Sequence, residues 1–201
     1  FFNKNYNLKR FRAIDGSQIQ NIHITNLRKQ SIIPYSLSLD NINQKRGRFG
    51  TMLSHIYLWE LLKKEKKNYG IILEDDISIN EHFDKILETV LNNLPERWDI
   101  IYLGYDGVYK STFLKYNSIY NIPTLDSKYY GMWGYVINIS NLENIKKILF
   151  PVSPELYHFD NYLRKHASNL LYYFLNQRII IHKDEYSIRQ NIDTFYRINN
   201  I

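Results

Sequence analysis

Between residues 49 and 103 the apolar pattern switches repeatedly between helical and strand-like periods, and few folds accommodate that. Phe49, Met52, Leu53, Ile56, Trp59 and Leu62 recur at spacings of three and four, which predicts a helix over 49–66. Gly70 then opens the run Ile71-Ile72-Leu73, an unalternated stretch of the kind found in strands buried on both faces. Asn80 can cap a second helix with Phe83, Ile86, Leu87, Val90 and Leu91 on its inner face, and Pro95 lies just past its end. Trp98–Leu103 forms a second strand, closed by Gly104. Residues 105–128 follow no period and read as a loop long enough to be functional. A strand returns at Tyr130–Ile139. Ser140 and Glu143 then make a capping-box pattern before the stripe Leu142, Ile145, Ile148 and Leu149. Pro151 and Pro154 break that helix, another covers 157–167, and short β-rich runs follow at 170–175 and 178–182. This alternation predicts an α/β domain with a mainly parallel central sheet flanked by helices.

Open sheets of that class bind ligands at the carboxyl ends of their strands. There the chain sets an electrostatic problem: "YGIILEDDISIN" runs from an apolar strand into Glu74, Asp75 and Asp76. Adjacent carboxylates repel, so something offsets the charge or water solvates it. Mg²⁺ and Mn²⁺ favour oxygen donors, often one or two carboxylates plus substrate phosphates. A cation at this strand end would hold a diphosphate and act as a Lewis acid when it departs. The other reading is that Asp75 and Asp76 precede a helix and favour its N-terminus. His55, on the first helix, is either a ligand or phosphate contact or a packed structural histidine. His182, ending an apolar run, is structural or the imidazole that completes an Mn²⁺ site. Asp160 is a helix-dipole carboxylate or a general base. No glycine-rich phosphate loop and no nucleophile elbow is present.

Composition narrows the classes. The 201 residues suffice for one domain with its own core. No run of 18 or more apolar residues and no signal peptide occurs, and the chain begins at Phe1. The absence of cysteine excludes disulfides, thiolate metal sites and cysteine nucleophiles, and fits a soluble protein of a reducing compartment, the cytoplasm being favoured. The net charge of +6 invites an anionic partner, but the cations are thinly spread, as in "KKEKK". That argues against nucleic acid and suits a small anion such as a nucleotide diphosphate.

Six blocks in order carry a family resemblance: "RFRAIDG" (Arg10–Gly16), "GRFGTMLSHIYLW" (Gly47–Trp59), "GIILEDDI" (Gly70–Ile77), "WDIIYLG" (Trp98–Gly104), "YYGMWGYVINISNLENI" (Tyr129–Ile145) and "HFDNYLR" (His158–Arg164). The chain resembles glycosyltransferase family 25, which includes bacterial lipooligosaccharide galactosyltransferases and collagen β-galactosyltransferases. The resemblance implies a single GT-A-like (Rossmann-like) domain that moves galactose or glucose from a UDP-sugar donor to a glycan or protein hydroxyl with inversion. It implies Mn²⁺ or Mg²⁺ on Asp76, with Asp75, Glu74 and His182 as further ligands. It puts Ser54, His55, Asp15 and Gly16 on the donor side, and Trp133, Gly134 and Tyr135 on the acceptor side. Asp160 becomes the base. The chain departs from the family in lacking the first strand with its "INL…R" signature, in carrying Thr51 for cysteine, and in residues 105–128. A nucleotide- or glycan-binding module without turnover, and a glycoside hydrolase using Asp76 and Asp160, are the competing readings.

Overall fold

The computed structural model describes residues 8–107, 113–124, 127–152, 158–183 and 193–197. Its strands are β1 (Leu8–Arg12), β2 (Tyr69–Leu73), β3 (Ile77–Ile79), β4 (Ile100–Gly107), β5 (Phe113–Lys115), β6 (Tyr120–Pro123), β7 (Tyr129–Asn138), β8 (Tyr172–Leu175), β9 (Ile180–His182) and β10 (Asp193–Arg197). Its helices are α1 (Asn21–Lys29), α2 (Leu39–Gln44), α3 (Arg46–Lys64), α4 (Phe83–Asn92), α5 (Leu142–Leu149) and α6 (Phe159–Lys165). None is long and apolar enough to cross a membrane.

Eight strands form one sheet in the order β1-β10-β2-β7-β4-β8-β6-β5, and β3 pairs with β9 in a separate ribbon. The α/β class holds, but the mainly parallel sheet does not. Every pairing is antiparallel except that of β4 with β8. Two physical reasons explain the difference. The chain between β4 and β7 contains the β5–β6 hairpin instead of a crossover helix, so β7 returns antiparallel and inserts between β2 and β4. The continuous apolar runs report burial on both faces, which an antiparallel sheet covered on both sides also requires.

That double burial is visible residue by residue. Ile72, Ile100, Tyr102, Tyr135 and Ile137 face one way, onto Trp59 and Leu62 of α3, Ile145 and Leu149 of α5, and Leu163 of α6. Ile71, Leu73, Ile101, Leu103 and Val136 face the other, onto Phe83, Leu87 and Val90 of α4 and onto Ile180. At roughly 1.5–3 kcal/mol for each fully buried aliphatic side chain, these two faces dominate the stabilisation.

Two local expectations are corrected. Ser140 does not cap α5: the cap position is Asn141, whose N–H donates to Asn138 Oδ1, and Glu143 pairs instead with Lys63 and Lys146. Asn80 accepts the His82 N–H in a turn ahead of α4, after the short strand β3.

Glycines seat the ribbon on the sheet. Gly104 of β4 and Gly134 of β7 are register partners, and Ile180 of β9 lies over both. A Cβ on Gly104 would come within 2.6 Å of the Ile180 carbonyl oxygen. Gly104→Ala should therefore push β9 outward and destabilise the fold by about 1–3 kcal/mol, read from urea denaturation.

Candidate active site

A cleft of about 830 Å³ opens where β2 ends and β7 begins. One wall is the start of α3, with Gln44, Lys45, Arg46, Gly47, Arg48 and Thr51. The other carries His55, Glu74, Trp133, Asp160 and His182, with Tyr130, Gly131, Met132, His158 and Asn161 completing the lining.

The acidic triplet does not act as a unit; each carboxylate has its own surroundings. Glu74 Oε1 lies 3.3 Å from the buried His55 Nε2. Its main-chain N–H donates to the Trp133 carbonyl at 2.8 Å, which continues the β2–β7 ladder one residue into the cleft. Burial, reinforced by the charge of Asp76, pushes the Asp75 carboxyl up, against its own backbone N–H and Arg10 on β1. Asp76 Oδ2 is 3.2 Å from His182 Nε2, and its buried Oδ1 has no hydrogen-bond partner. Each carboxylate thus has a neighbour of its own: His55 for Glu74, Arg10 for Asp75 and His182 for Asp76.

The β3–β9 ribbon explains how His182 arrives. Ile77 pairs with His182, the Lys183 N–H donates to the Asp76 carbonyl at 2.9 Å, and the imidazole packs 4.9 Å from the Trp133 indole, centroid to centroid.

Behind Glu74 lies a buried polar chain. Trp59 Nε1–H can only donate, and it donates to the Tyr135 hydroxyl oxygen at 2.9 Å. The same hydroxyl is 2.9 Å from His55 Nδ1. Burial pushes the Tyr135 phenol well up from its ordinary value, with Trp59 opposing and the Glu74 charge adding to it. The Tyr135 oxygen thus links Trp59 Nε1 and His55 Nδ1 in one buried chain behind Glu74.

Asp160 opens α6. Its Oδ2 accepts the Gly131 N–H and its Oδ1 the Asn161 N–H, both at 2.7 Å. Gly131 has φ +93°, and a Cβ there would lie 2.6 Å from Trp133 Cε2, so this position requires glycine. Asp160 therefore ties the first turn of α6 to the start of β7.

Other expected residues lie behind the cleft. Ser54 is buried, donating to the Gly50 carbonyl and accepting the Ile14 N–H, each at 2.8 Å. Asp15 is exposed and caps a short 3-10 turn through the Ser17 N–H, and the Ser17 side chain first, with that N–H, holds its carboxyl below the usual range. Gly16 packs on the Arg46 carbonyl, and the Arg46 guanidinium reaches the Ser17 carbonyl at 2.8 Å and Asn43 Oδ1 at 2.7 Å. These residues brace the cationic wall from behind. Gly134 serves the ribbon contact, and Tyr135 is fully buried. Asp106, at the β4 end, pairs with Arg178 at 2.8 Å and does not line the cleft.

The cationic wall and Tyr130 escaped the sequence reading. The run Lys45-Arg46-Gly47-Arg48 was the available signal, directly before the helical period. Tyr130 alternates with residues of β7 that face the core, and only the register exposes it.

Phenylalanine at position 135 would leave the Trp59 N–H and His55 Nδ1 buried without a partner. Tyr135→Phe should cost about 1–3 kcal/mol in chemical denaturation while keeping the fold's circular dichroism.

Comparison with known proteins identifies the chain's relatives. The sequence model of glycosyltransferase family 25 (LPS biosynthesis protein) matches residues 1–163. A glycosyltransferase 25 family member of Aedes aegypti is 27% identical over 143 residues, 69% of this chain and 23% of the relative. Procollagen galactosyltransferase 2 of Homo sapiens is 23% identical over 143 residues, 69% of this chain and 22% of the relative. The inactive glycosyltransferase 25 family member 3 of Homo sapiens is 26% identical over 138 residues, 66% of this chain and 23% of the relative. The chain spans less than a quarter of the length of these relatives. With the family match covering residues 1–163 of 201, it belongs to glycosyltransferase family 25.

Proposed function

We propose that this glycosyltransferase is a metal-dependent inverting hexosyltransferase, moving galactose or glucose from a UDP-sugar to a glycan or protein hydroxyl on a GT-A-like domain. The observation that carries this reading is the cleft itself. In a chain of this family, cations at the start of α3 face a cleft that also holds Glu74 from the end of β2, Asp160 of α6, two aromatic side chains and three imidazoles. The first-turn N–H groups of α3 have no side-chain cap, and Arg48 has no hydrogen-bond or ion-pair partner among the described residues. Both features favour the donor diphosphate on this wall. Trp133 and the exposed Tyr130, with ring centroids 6.4 Å apart, offer apolar faces to a sugar ring.

The donor set suits Mn²⁺ or Mg²⁺. No group of three or more His, Cys, Asp or Glu residues that could hold a metal occurs among the described residues. Such cations nevertheless need only one or two protein carboxylates when substrate phosphates supply the rest. Asp76, with its orphaned Oδ1, and His182 beside it would hold the ion; Asp75 and Glu74 stand further back in this assignment. The bound ion would supply Lewis-acid stabilisation of the departing diphosphate. One carboxylate takes the acceptor's proton, and Asp160 and Glu74 are the two that line the cleft.

The name of one relative, an inactive family member, favours a second reading: nucleotide binding without turnover. Scanning fluorimetry with UDP and Mn²⁺, paired with a donor-consumption assay over UDP-hexoses, separates the two. The transferase reading expects Mn²⁺-dependent stabilisation by UDP together with donor consumption. Stabilisation without consumption, across a broad acceptor panel, supports the binder. Asp76→Asn should weaken Mn²⁺-dependent UDP binding about 10- to 100-fold.

A further inference from the structure

We infer that Tyr130 is the acceptor platform of the cleft, stacking the C–H face of a neutral pyranose, so that the chain transfers onto glycans and not onto peptide hydroxyls. This assignment rests on the transferase reading above.

Tyr130 stands apart from the rest of its strand. Its neighbours Tyr129 and Gly131 are buried, and β7 runs through the middle of the main sheet, yet Tyr130 is 46% exposed and lines the cleft. The core does not use that ring, so its face is available to a ligand. Trp133 braces it from the side, edge-on at 87° with ring centroids 6.4 Å apart. Trp133 is itself backed by the main chain of Gly131, where a Cβ would come within 2.6 Å of the indole, and by the His182 imidazole at 4.9 Å.

The polar groups next to the ring suit hydroxyls. Asp160 accepts the N–H of Gly131, the residue adjacent to Tyr130, and each of its two oxygens takes one backbone N–H. A carboxylate oxygen has a second lone pair, so each can still accept a sugar O–H. Asn161 also lines the cleft and supplies an amide that both donates and accepts. The Lys and Arg residues of the lining all belong to the α3 wall. An open ring face beside planar polar groups, with no cation among them, matches a neutral sugar ring.

A peptide acceptor would be gripped differently. Extended peptides bind through main-chain hydrogen bonds at an open strand edge. The open edges of the main sheet are β1 and β5, at the two ends of the strand order. At the start of β7 the Gly131 N–H is already held by Asp160 at 2.7 Å, and a peptide laid there would have to displace it.

Saturation-transfer NMR with methyl pyranosides (galactoside, glucoside, mannoside and N-acetylglucosaminide), in the presence of UDP and Mg²⁺, tests the platform. Wild type should saturate the C–H protons of one sugar face. Tyr130→Ala should weaken that binding about ten-fold, the worth of uncovering one ring face, and Tyr130→Phe, which keeps the ring, should hold it within about two-fold. Turnover with UDP-galactose or UDP-glucose gives a second readout: Tyr130→Ala should raise the acceptor KM about ten-fold and leave the donor KM in place. Thermal melting checks that both variants fold. Pyranoside binding that Tyr130→Ala does not weaken overturns the inference. So does a wild type that binds no pyranoside, or one that transfers only to peptides carrying serine, threonine or hydroxylysine. Those outcomes leave the transferase reading standing. Pyranoside binding that depends on Tyr130, with no donor consumed whatever the acceptor, sinks that reading and upholds the platform.

Discussion

The Tyr135 hydroxyl is the interaction on which the architecture and the cleft both depend. It sits at the centre of the sheet, on β7, where a phenol with no partner would cost more than its ring burial is worth. Two residues of α3 meet it, Trp59 through its indole N–H and His55 through Nδ1, each at 2.9 Å. Those bonds fix the rotation of α3 about its own axis. With that rotation set, the first turn of the 19-residue helix faces the cleft, and His55 stands behind Glu74. A core contact thereby determines the positions of the cationic and anionic walls together.

Much of the fold was legible because its helices and inner strands carry clean periods. The stripe from Phe49 to Leu62 and the run 71–73 fall inside α3 and β2, and the run 98–103 overlaps β4 from Ile100 onward. Strand direction was not legible. A residue in a doubly covered sheet meets the same apolar surroundings whichever way its neighbour runs, so Ile71 to Leu73 could not distinguish the cases. The decisive information lay in residues 113–123, whose hairpin strands are three and four residues long and carry too little pattern to be seen.

The candidate site divided in the same way. Glu74, Asp76, His182 and Asp160 were legible as chemistry, because charge on an apolar background is conspicuous. Their partners were not, because β3 and β9 join residues 77 and 182, and α3 joins residues 55 and 135. Tyr135 and Ser54 read as site residues, yet they hold the site from within the core. The Lys45–Arg48 wall was diluted by an overall basic composition.

The division of the acidic triplet among three partners has a consequence for how the sequence can vary. Glu74, Asp75 and Asp76 are chemically alike, so a change of charge at one position leaves the other two in place. A change of spacing does not. Because the triplet forms a short bend fixed at both ends by β2 and β3, inserting or deleting one residue here would hand each carboxylate its neighbour's surroundings. His55 would then confront the wrong acid and His182 none at the right reach. The count of residues between Leu73 and Ile77 is thus held more tightly than the identity of any one of them.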